Sequence, residues 1–501
     1  MTKSREKKLV YNTFVPFVLQ ITTVLCGLIL PRLIIKTYGS KVNGLVGSVS
    51  DFLGIITLLD LGVGSVVQST LYKPLAENDN DSISRIYVSA KKFFRRIAAI
   101  FLAYVIVLLF LYPFIKTDFD FFFTDTLIGA ICISSFAQYY FGIVNTLLLK
   151  AHQKAYVQGI ISIITLVLNT IACVVLIKLG FAIQTVRLTT SLIFLMRPLY
   201  LEWYVRKNYN INRKITYTEE PIKQKWNGMA QHAASYVLSG TDTIVLTLFS
   251  GYANVSIYGT YNFVITGVKN VLLSMSSGFQ SLMGEMLAKK EFKKLESFFS
   301  YVEWSLHTGT TLIFGCTGVL IIPFIRVYTR GVTDAEYINT LFAVLITAAN
   351  AGHCLRLPYN TLILAAGHYK QTQKNYIVAM IMNIVISVGT VAVWGLVGVA
   401  IGTLSAMFYQ TIWMAWYNSK NIICWDFKKF LKQCGVDLIT VLIAVALTFK
   451  IPLLYISYGG FAIQAAEVFV CWLVVVIIVN LIFYSQNTLV IAGKIKSKLK
   501  K

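Results

Sequence analysis

The chain has 501 residues, of which 56% are hydrophobic and only 13% are charged. This composition excludes a soluble globular protein and predicts an all-α integral membrane protein. The net charge of +23 would suggest nucleic acid as a partner of a soluble protein. Here no nucleic-acid partner is expected, because no soluble domain is predicted that could present the basic residues.

The chain divides into about 14 apolar segments, most of them near the ~20 residues that span a bilayer as a helix. We number them spans 1 to 14 and place them at roughly 10–35, 43–71, 97–115, 125–149, 156–177, 181–204, 228–249, 255–283, 304–325, 338–362, 375–394, 396–417, 435–456 and 462–484. The loops are too short to bury a core of their own. This argues against a membrane glycosyltransferase or polymerase, so we expect a transporter with no catalytic residues.

Lys and Arg are concentrated in every second connection between the spans. The basic segments precede span 1, follow spans 2, 6, 8 and 12, and end the chain after span 14. About 33 of the Lys and Arg residues fall on this side, which the positive-inside rule assigns to the cytoplasm. The pattern predicts a multi-pass protein with both termini in the cytoplasm.

The first twelve spans contain a weak internal repeat. A shift of about 211 residues aligns Asp51-Phe52 of span 2 with Asn262-Phe263 of span 8, and the order of the flanking features is also repeated. Because six spans separate the copies, the repeat predicts two six-helix lobes related by a pseudo-two-fold axis along the membrane normal. We expect an N-terminal lobe at 1–218, a C-terminal lobe at 219–432, and an appended helix pair with a basic tail at 433–501.

Five basic residues lie inside the apolar spans: Arg32, Arg187, Arg197, Lys269 and Arg356. A cation at bilayer depth costs several kcal/mol or more unless it faces a watery cavity or an anion. These residues therefore predict a cleft that handles a negatively charged substrate within the membrane. For the two arginines of span 6 the interpretation stays open, since Arg197 could instead reach the cytoplasmic head groups.

Span 8 has the most regular pattern of polar residues. Tyr258, Tyr261, Asn262 and Lys269 recur at spacings that place them on one face of a helix. Aromatic rings stack on sugars and an ammonium attracts phosphate, so this face would suit a ligand with a sugar part and an anionic part. The alternative is a structural helix contact in which Lys269 pairs with Asp242 of span 7, a residue at similar depth.

Span 10 combines polar residues with a proline. Asn350, His353, Arg356 and Asn360 follow one another at three- and four-residue spacing, and Pro358 lies among them. Proline removes a backbone hydrogen bond and favours a bend, and transporters often build binding sites at such breaks. His353 could carry a coupling proton, because the usual pKa of histidine lies near neutrality, or it could simply bond a neighbour.

The first two spans carry further candidates for ion coupling or gating. Arg32 and Asp51 lie at similar depth in adjacent spans, which favours an ion pair, and Asp60 lies deeper in span 2. Either aspartate could bind Na⁺ or H⁺, although a structural role is equally compatible with its position. The eight cysteines lie singly, without partners at ligand spacing. We therefore predict no cofactor and no metal centre other than a coupling ion, H⁺ or Na⁺.

The first hairpin also carries motifs of a known family. They are Leu30-Pro31-Arg32 leading to Tyr38-Gly39, then Asn43-Gly44-Leu45, Leu59-Asp60-Leu61-Gly62-Val63-Gly64 and Leu71-Tyr72-Lys73-Pro74-Leu75. With them the sequence resembles the polysaccharide repeat-unit flippases, the Wzx-type branch of the multidrug/oligosaccharidyl-lipid/polysaccharide exporter superfamily. The resemblance covers nearly the whole chain, although the second half is recognisable mainly by its topology.

The resemblance implies a flippase of the bacterial cytoplasmic membrane. Such a protein moves an undecaprenyl-pyrophosphate-linked oligosaccharide from the inner to the outer leaflet by alternating access, for cell-surface polysaccharide biosynthesis. The implied cavity cations are Arg32, Lys269 and Arg356, and the implied partners are membrane lipids, a polysaccharide polymerase and glycosyltransferases. Two alternatives share the architecture: a lipid II flippase, and a cation-coupled exporter of the MATE type. Drug cations would favour unpaired acids, whereas this chain places more basic than acidic groups at depth.

Overall fold

The computed structural model describes residues 3–57, 63–115, 118–217, 219, 221–222, 229–423 and 425–488. Within these ranges the chain folds into α-helices joined by short connections, with one π-helical segment and no β-strand. The all-α prediction is therefore confirmed. Long helices separated by tight turns are the expected result of apolar segments whose backbone groups must be satisfied internally in lipid.

The first half of the chain forms eight of these helices. They are α1 (Lys3–Tyr38), α2 (Ser40–Gly54), α3 (Val63–Glu77), α4 (Asn80–Ile115), α5 (Phe121–Ala137), α6 (Ile143–Ala151), α7 (Ala155–Lys178) and α8 (Ile183–Asn208). The π-helical segment Gln138–Gly142 joins α5 to α6. Gly39 has a φ of 88°, a value that favours glycine, and it makes the tight turn from α1 to α2.

The second half forms the remaining helices. They are α9 (Met229–Phe249), α10 (Tyr252–Ala288), α11 (Phe292–Tyr328), α12 (Thr340–Leu355), α13 (Leu357–Ala365), α14 (Tyr369–Trp394), α15 (Leu396–Asn421), α16 (Phe427–Thr448) and α17 (Tyr458–Phe483). Side-chain oxygens of Asn339, Asp426 and Ser457 accept hydrogen bonds from the first turns of α12, α16 and α17. These caps satisfy backbone N–H groups that have no partner within the helix.

Ten candidate membrane spans occur among the described residues, by length and composition. They correspond to the predicted spans 1, 3 to 5 and 9 to 14. Helices α8, α9 and α10 occupy the predicted spans 6, 7 and 8 but are less apolar, because they contain Arg187, Asp242 and Lys269 among other polar residues. Helices α2 and α3 occupy the predicted span 2. The spans that contain most of the candidate charges are thus the ones that hydropathy recognises least.

The helices pack into two compact units. Unit 1 comprises Met1–Tyr236 and Gly251–Ser256, and unit 2 comprises Val237–Ser250 and Ile257–Lys501. The division falls within the hairpin of α9 and α10, later in the chain than the predicted lobe boundary at residue 218. The predicted appended pair, α16 and α17, lies in unit 2 and packs on α11. There the ring of Trp472 occupies the space beside Gly315, where a Cβ atom would lie 1.9 Å from it.

Within unit 1, α2 approaches the start of α10 very closely at Gly44. A Cβ atom at this position would lie 1.7 Å from the carbonyl oxygen of Tyr252. Beside it, Asn43 Nδ2 donates a hydrogen bond to Ser256 Oγ at 2.8 Å. Small residues allow such close approach of helix backbones in membranes. The glycine of the Asn43-Gly44-Leu45 motif is therefore required by packing.

We predict that Gly44→Ala destabilises the protein, because the added methyl group cannot be accommodated without displacing the backbone of α10. The expected cost is about 1–3 kcal/mol, as for other overpacked sites. Thermal unfolding of the detergent-purified protein measures it. The matched control is Gly47→Ala in the same helix, where the new methyl group would meet Val255 at an ordinary 3.7 Å. Equal melting temperatures for the two variants would contradict the assigned packing.

Candidate functional site

A buried carboxylate, Asp242, lies at the meeting point of four helices in unit 2. Its side chain is 3% exposed, and Oδ2 accepts hydrogen bonds from Tyr258 Oη at 2.9 Å and Thr403 Oγ1 at 2.8 Å. Asn383 Nδ2 donates to the same threonine hydroxyl at 3.1 Å, and Asn383 Oδ1 accepts from Thr241 at 3.0 Å. The network joins α9, α10, α14 and α15 around one negative charge.

The surroundings of Asp242 are rich in oxygen donors. Its Oδ1 atom is buried and has no hydrogen-bond partner. Close to the network, the carbonyl oxygen of Val399 accepts from Thr403 at 3.2 Å and from Ser387 at 3.4 Å. One carboxylate with amide, hydroxyl and carbonyl oxygens is a donor set that suits a hard cation. The same free carboxylate oxygen could alternatively take a proton.

The two tyrosines of α10 lie on the face that packs into unit 2. Tyr258 is 6% exposed and Tyr261 is fully buried; the rings lie 6.2 and 5.1 Å from that of Phe342. Tyr261 Oη donates to the carbonyl oxygen of Tyr337 at 2.8 Å. In the structure the two rings contact protein groups, and their stacking on a sugar stays a prediction. They hold Asp242 and the segment before α12 in place, whereas Asn262 on the same helix is only half-buried.

Lys269 and Arg356 form the basic part of the site in unit 2. Lys269 Nζ donates to Asn350 Oδ1 at 3.2 Å, so it bonds a neutral amide instead of the suggested partner Asp242. Arg356 is 4% exposed, and its Nη2 lies 3.0 Å from His353 Nδ1. Because a guanidinium can only donate, the imidazole accepts at Nδ1 and is neutral in this arrangement.

The arginine of this pair is incompletely satisfied. Nε and Nη1 of Arg356 are buried and have no hydrogen-bond partner, and a buried unsatisfied donor costs about 1–3 kcal/mol. Lys269 interacts electrostatically both with Arg356 and with Asp242. In the described part of the chain neither residue forms an ion pair. The arrangement can bind an anion without first breaking a salt bridge.

Arg356 lies at the junction of two helices in span 10, beside the proline for which a bend was predicted. Helix α12 ends at Leu355 and α13 begins at Leu357, so the arginine lies between them. Pro358, in the first turn of α13, has no N–H to donate to the carbonyl oxygen of Cys354, which weakens a continuous helix at this point. Arg356 itself keeps helical dihedral angles, with φ −73° and ψ −21°, so the interruption is local and places a guanidinium inside the unit.

The candidates in unit 1 have different environments. Arg32 is half-buried in α1 and Asp51 is exposed in α2; their pairing stays a prediction. Asp60 lies outside the described residues. Arg187 of α8 is half-buried, and its Nε atom is buried without a hydrogen-bond partner. This makes Arg187 the unit 1 residue that most resembles Arg356.

Arg197 of unit 1 has both a hydrogen-bond acceptor and an aromatic ring as partners. Nε donates to Thr165 Oγ1 at 2.5 Å, and the guanidinium lies 3.9 Å from the centre of the Phe194 ring. These contacts join α8 to α7. Of the two interpretations left open by the sequence, a cleft residue or a residue reaching the head groups, neither is needed to explain its position.

A second buried polar network in unit 2 was not predicted. His307 Nδ1 lies 2.7 Å from Asp437 Oδ2, and Tyr359 Oη donates to Glu303 Oε1 at 2.6 Å while lying 3.3 Å from His307 Nε2. All four side chains are buried. The sequence did not predict that Glu303 and Asp437 are buried, because both lie at the ends of predicted spans, 9 and 13, where charged residues are ordinarily solvated. The network bonds α16 to the body of unit 2.

Comparison with solved structures identifies the fold as that of known membrane transporters. The chain is similar to lipid II flippase MurJ in an inward closed conformation, with a TM-score of 0.72 and 13% identity over 95% of this chain and 99% of that chain. It is also similar to an inward-facing multidrug resistance MATE family transporter of the MOP superfamily, with a TM-score of 0.65 and 14% identity over 79% and 94%.

A third similar structure is a mutant MATE transporter of Vibrio cholerae, with a TM-score of 0.59 and 16% identity over 84% of this chain and 98% of that chain. No protein-family model matches the chain, and no curated protein matches its sequence. The chain therefore shares the fold of these solved transporters. Identities of 13–16% show similarity of the fold alone. The role of each residue must therefore be argued from its own contacts and charge.

We predict that Tyr359→Phe destabilises the protein by about 1–3 kcal/mol, because Glu303 loses a buried hydrogen-bond donor. Thermal unfolding of the purified protein measures the effect. The control is Tyr376→Phe, which removes a hydroxyl that donates to the half-buried Asn360. Because that amide is partly accessible, the control should cost less. A larger loss in the control than in Tyr359→Phe would show that the buried network does not stabilise unit 2.

Proposed function

We propose that this chain is a flippase that moves an undecaprenyl-pyrophosphate-linked oligosaccharide from the inner to the outer leaflet of the bacterial cytoplasmic membrane by alternating access. The observation that supports this most strongly is Arg356, a buried arginine with two unpaired nitrogen atoms beside Lys269. A pyrophosphate is the kind of group that such a site would bind, since arginine and phosphate form short, charge-assisted hydrogen bonds. The product would serve cell-surface polysaccharide biosynthesis.

The chemistry of the substrate explains why cations would lie at this depth. The sugar pyrophosphate is too polar for hydrocarbon, and the lipid tail is too apolar for water. A protein that moves the head group must supply polar and positive groups along its path. Asn350, which bonds Lys269, and Asn262, two turns before Lys269 in α10, would offer amides to sugar hydroxyls. Arg32 and Arg187 are the corresponding candidates in unit 1.

Two alternative functions share this fold: flipping of lipid II and export of cationic drugs. Lipid II is the second candidate, because the similarity to the MurJ structure extends over 95% of this chain. An exporter of cationic drugs is less compatible with the site, because Lys269 and Arg356 would repel a positive substrate. A polysaccharide polymerase and glycosyltransferases are the partners expected for the first substrate.

Coupling is proposed to occur at Asp242. A Na⁺ ion bound by its free carboxylate oxygen, with Asn383 and Thr403 as neighbours, would neutralise the buried carboxylate within a cluster of oxygen donors. Because the network joins α9 and α10 to α14 and α15, binding there would change how these helices are held together. A proton on Asp242 or on His353 is the alternative coupling ion, and Asp51 and Asp60 are the proposed gating residues of unit 1.

We predict that Arg356→Gln and Lys269→Gln each reduce flipping at least about ten-fold, because each removes a charge-assisted contact to phosphate. The assay uses proteoliposomes and a lipid-linked oligosaccharide with a fluorescent head group, which is protected from a membrane-impermeant quencher when it lies in the inner leaflet. Fluorescent lipid II is assayed in parallel and identifies the preferred substrate.

The control for this experiment is Arg326→Gln, which removes an exposed arginine near the end of α11. It should leave flipping unchanged. If Arg356→Gln and Lys269→Gln flipped both substrates as fast as the unaltered protein, the phosphate-binding role of these residues would be wrong. If the unaltered protein flipped neither substrate, the proposed function itself would be wrong.

We predict that NaCl stabilises the purified protein against heat more than KCl does at equal ionic strength, because Na⁺ binds the folded state at Asp242. Asp242→Asn should abolish the difference. The control is Asp437→Asn, which alters another buried aspartate of unit 2 and should preserve the Na⁺ response even if the protein is less stable. A response that depends on pH and not on Na⁺ would favour the proton instead.

A further inference from the structure

Unit 1 contains a strongly basic cavity that the proposed transport site does not use. It has a volume of about 600 Å³ and lies between the first half of α4, the end of α8 and the segment that follows α8. Helix α4 is a single helix of 36 residues, so its basic amphipathic beginning continues directly into the apolar span. Six cationic residues line the cavity: Lys91, Lys92, Arg95, Arg96, Arg206 and Arg213.

One buried acid, Glu202 of α8, organises a part of this cavity. Its Oε1 atom accepts from Lys91 Nζ at 3.4 Å and Arg206 Nε at 3.1 Å, and it also accepts from Arg213 Nη1. On the other carboxylate oxygen, Asn145 Nδ2 donates at 2.8 Å. The carboxylate thus holds three cations in a fixed arrangement on one side of the cavity, and its own hydrogen-bonding capacity is used.

The remaining cations of the cavity are not compensated. In the described ranges of the chain, Lys92, Arg95 and Arg96 form no ion pair, and all three are exposed. Arg95 contacts only a ring, lying 4.8 Å from the centre of Tyr140. Arg213 Nη2 is buried and has no hydrogen-bond partner. Six cations against one carboxylate produce a positive potential that a bound anion would relieve.

Aromatic residues place the cavity at the level of the lipid head groups. Tyr200 and Trp203, in the turns of α8 that precede Arg206, are 37% and 54% exposed. Exposed Tyr and Trp residues on membrane helices are enriched at the membrane surface. The ammonium group of Lys207 lies 5.2 Å from the Trp203 ring. Since the basic segments lie on the predicted cytoplasmic side, the cavity opens towards the cytoplasmic leaflet.

We propose that this cavity is a binding site for a phosphate-bearing ligand, either the head group of an anionic phospholipid or a soluble phosphate compound. Basic pockets between membrane helices on the cytoplasmic side bind such head groups, and guanidinium groups fix phosphate oxygens with paired hydrogen bonds. The site lies in unit 1 and uses neither Lys269 nor Arg356, so it does not depend on the proposed transport function.

The test uses the purified full-length chain and two probes. In the first arm, the protein is placed in phosphatidylcholine nanodiscs with and without phosphatidylglycerol, and retained lipid is counted by native mass spectrometry. In the second arm, inorganic pyrophosphate is titrated into the detergent-solubilised protein and binding is measured by calorimetry. The variant is Lys92→Gln/Arg96→Gln, which removes two lining cations that do not bond Glu202 and should leave the fold intact.

We expect the variant to bind the probe, phosphatidylglycerol or pyrophosphate, at least about ten-fold more weakly than the unaltered protein does. The reason is the loss of two charge-assisted contacts. Retention of phosphatidylglycerol alone identifies a lipid site, and binding of pyrophosphate identifies a site for a soluble ligand. The matched control, Lys293→Gln/Lys428→Gln, removes the same charge from exposed lysines of unit 2 on the same predicted side. Equal loss in both double variants, or no binding of either probe, would overturn the proposal.

Discussion

The cost of placing a charge in a membrane is the constraint on which the rest of this structure depends. Each intramembrane ionic group must find partners within the protein, since lipid offers none. Asp242 meets this requirement with hydroxyl donors from two helices, and Arg197 meets it with Thr165 and the Phe194 ring. These bonds decide which helices of each unit are neighbours. Arg356 is exceptional because two of its buried nitrogen atoms are left without a partner.

The difference between satisfied and unsatisfied charges separates residues that bond neighbouring helices from residues that can bind an anion. A cation held by a carboxylate binds a substrate anion more weakly, because the carboxylate already neutralises part of its charge. Lys269 and Arg356 are held instead by a neutral amide and a neutral imidazole, so an anion would add its attraction without breaking an ion pair. In the proposed flippase this keeps the binding of pyrophosphate reversible, since release restores only weak hydrogen bonds.

The two buried carboxylate networks of unit 2 act on different helices. The Asp242 network joins α9 and α10 to α14 and α15, whereas Asp437 and Glu303 join α16 to α11 and α13 through His307 and Tyr359. The last two helices are therefore bonded into unit 2 by polar contacts as well as by the packing of Trp472 on α11. The predicted appended pair, α16 and α17, is thus part of compact unit 2.

Hydropathy and charge patterns in the sequence by themselves determined the all-α membrane class and the placement of most of the spans. They also identified Lys269 and Arg356, because a cation in an apolar segment is visible without a structure. Only the tertiary structure decided which groups meet. Periodicity defines a face of α10 but not its neighbours, so only the structure shows that Tyr258 bonds Asp242 and that Tyr261 bonds the segment before α12. The cavity around Glu202 was invisible for the same physical reason: its cations come from helices distant in the chain, and burial and hydrogen bonding are properties of their packing.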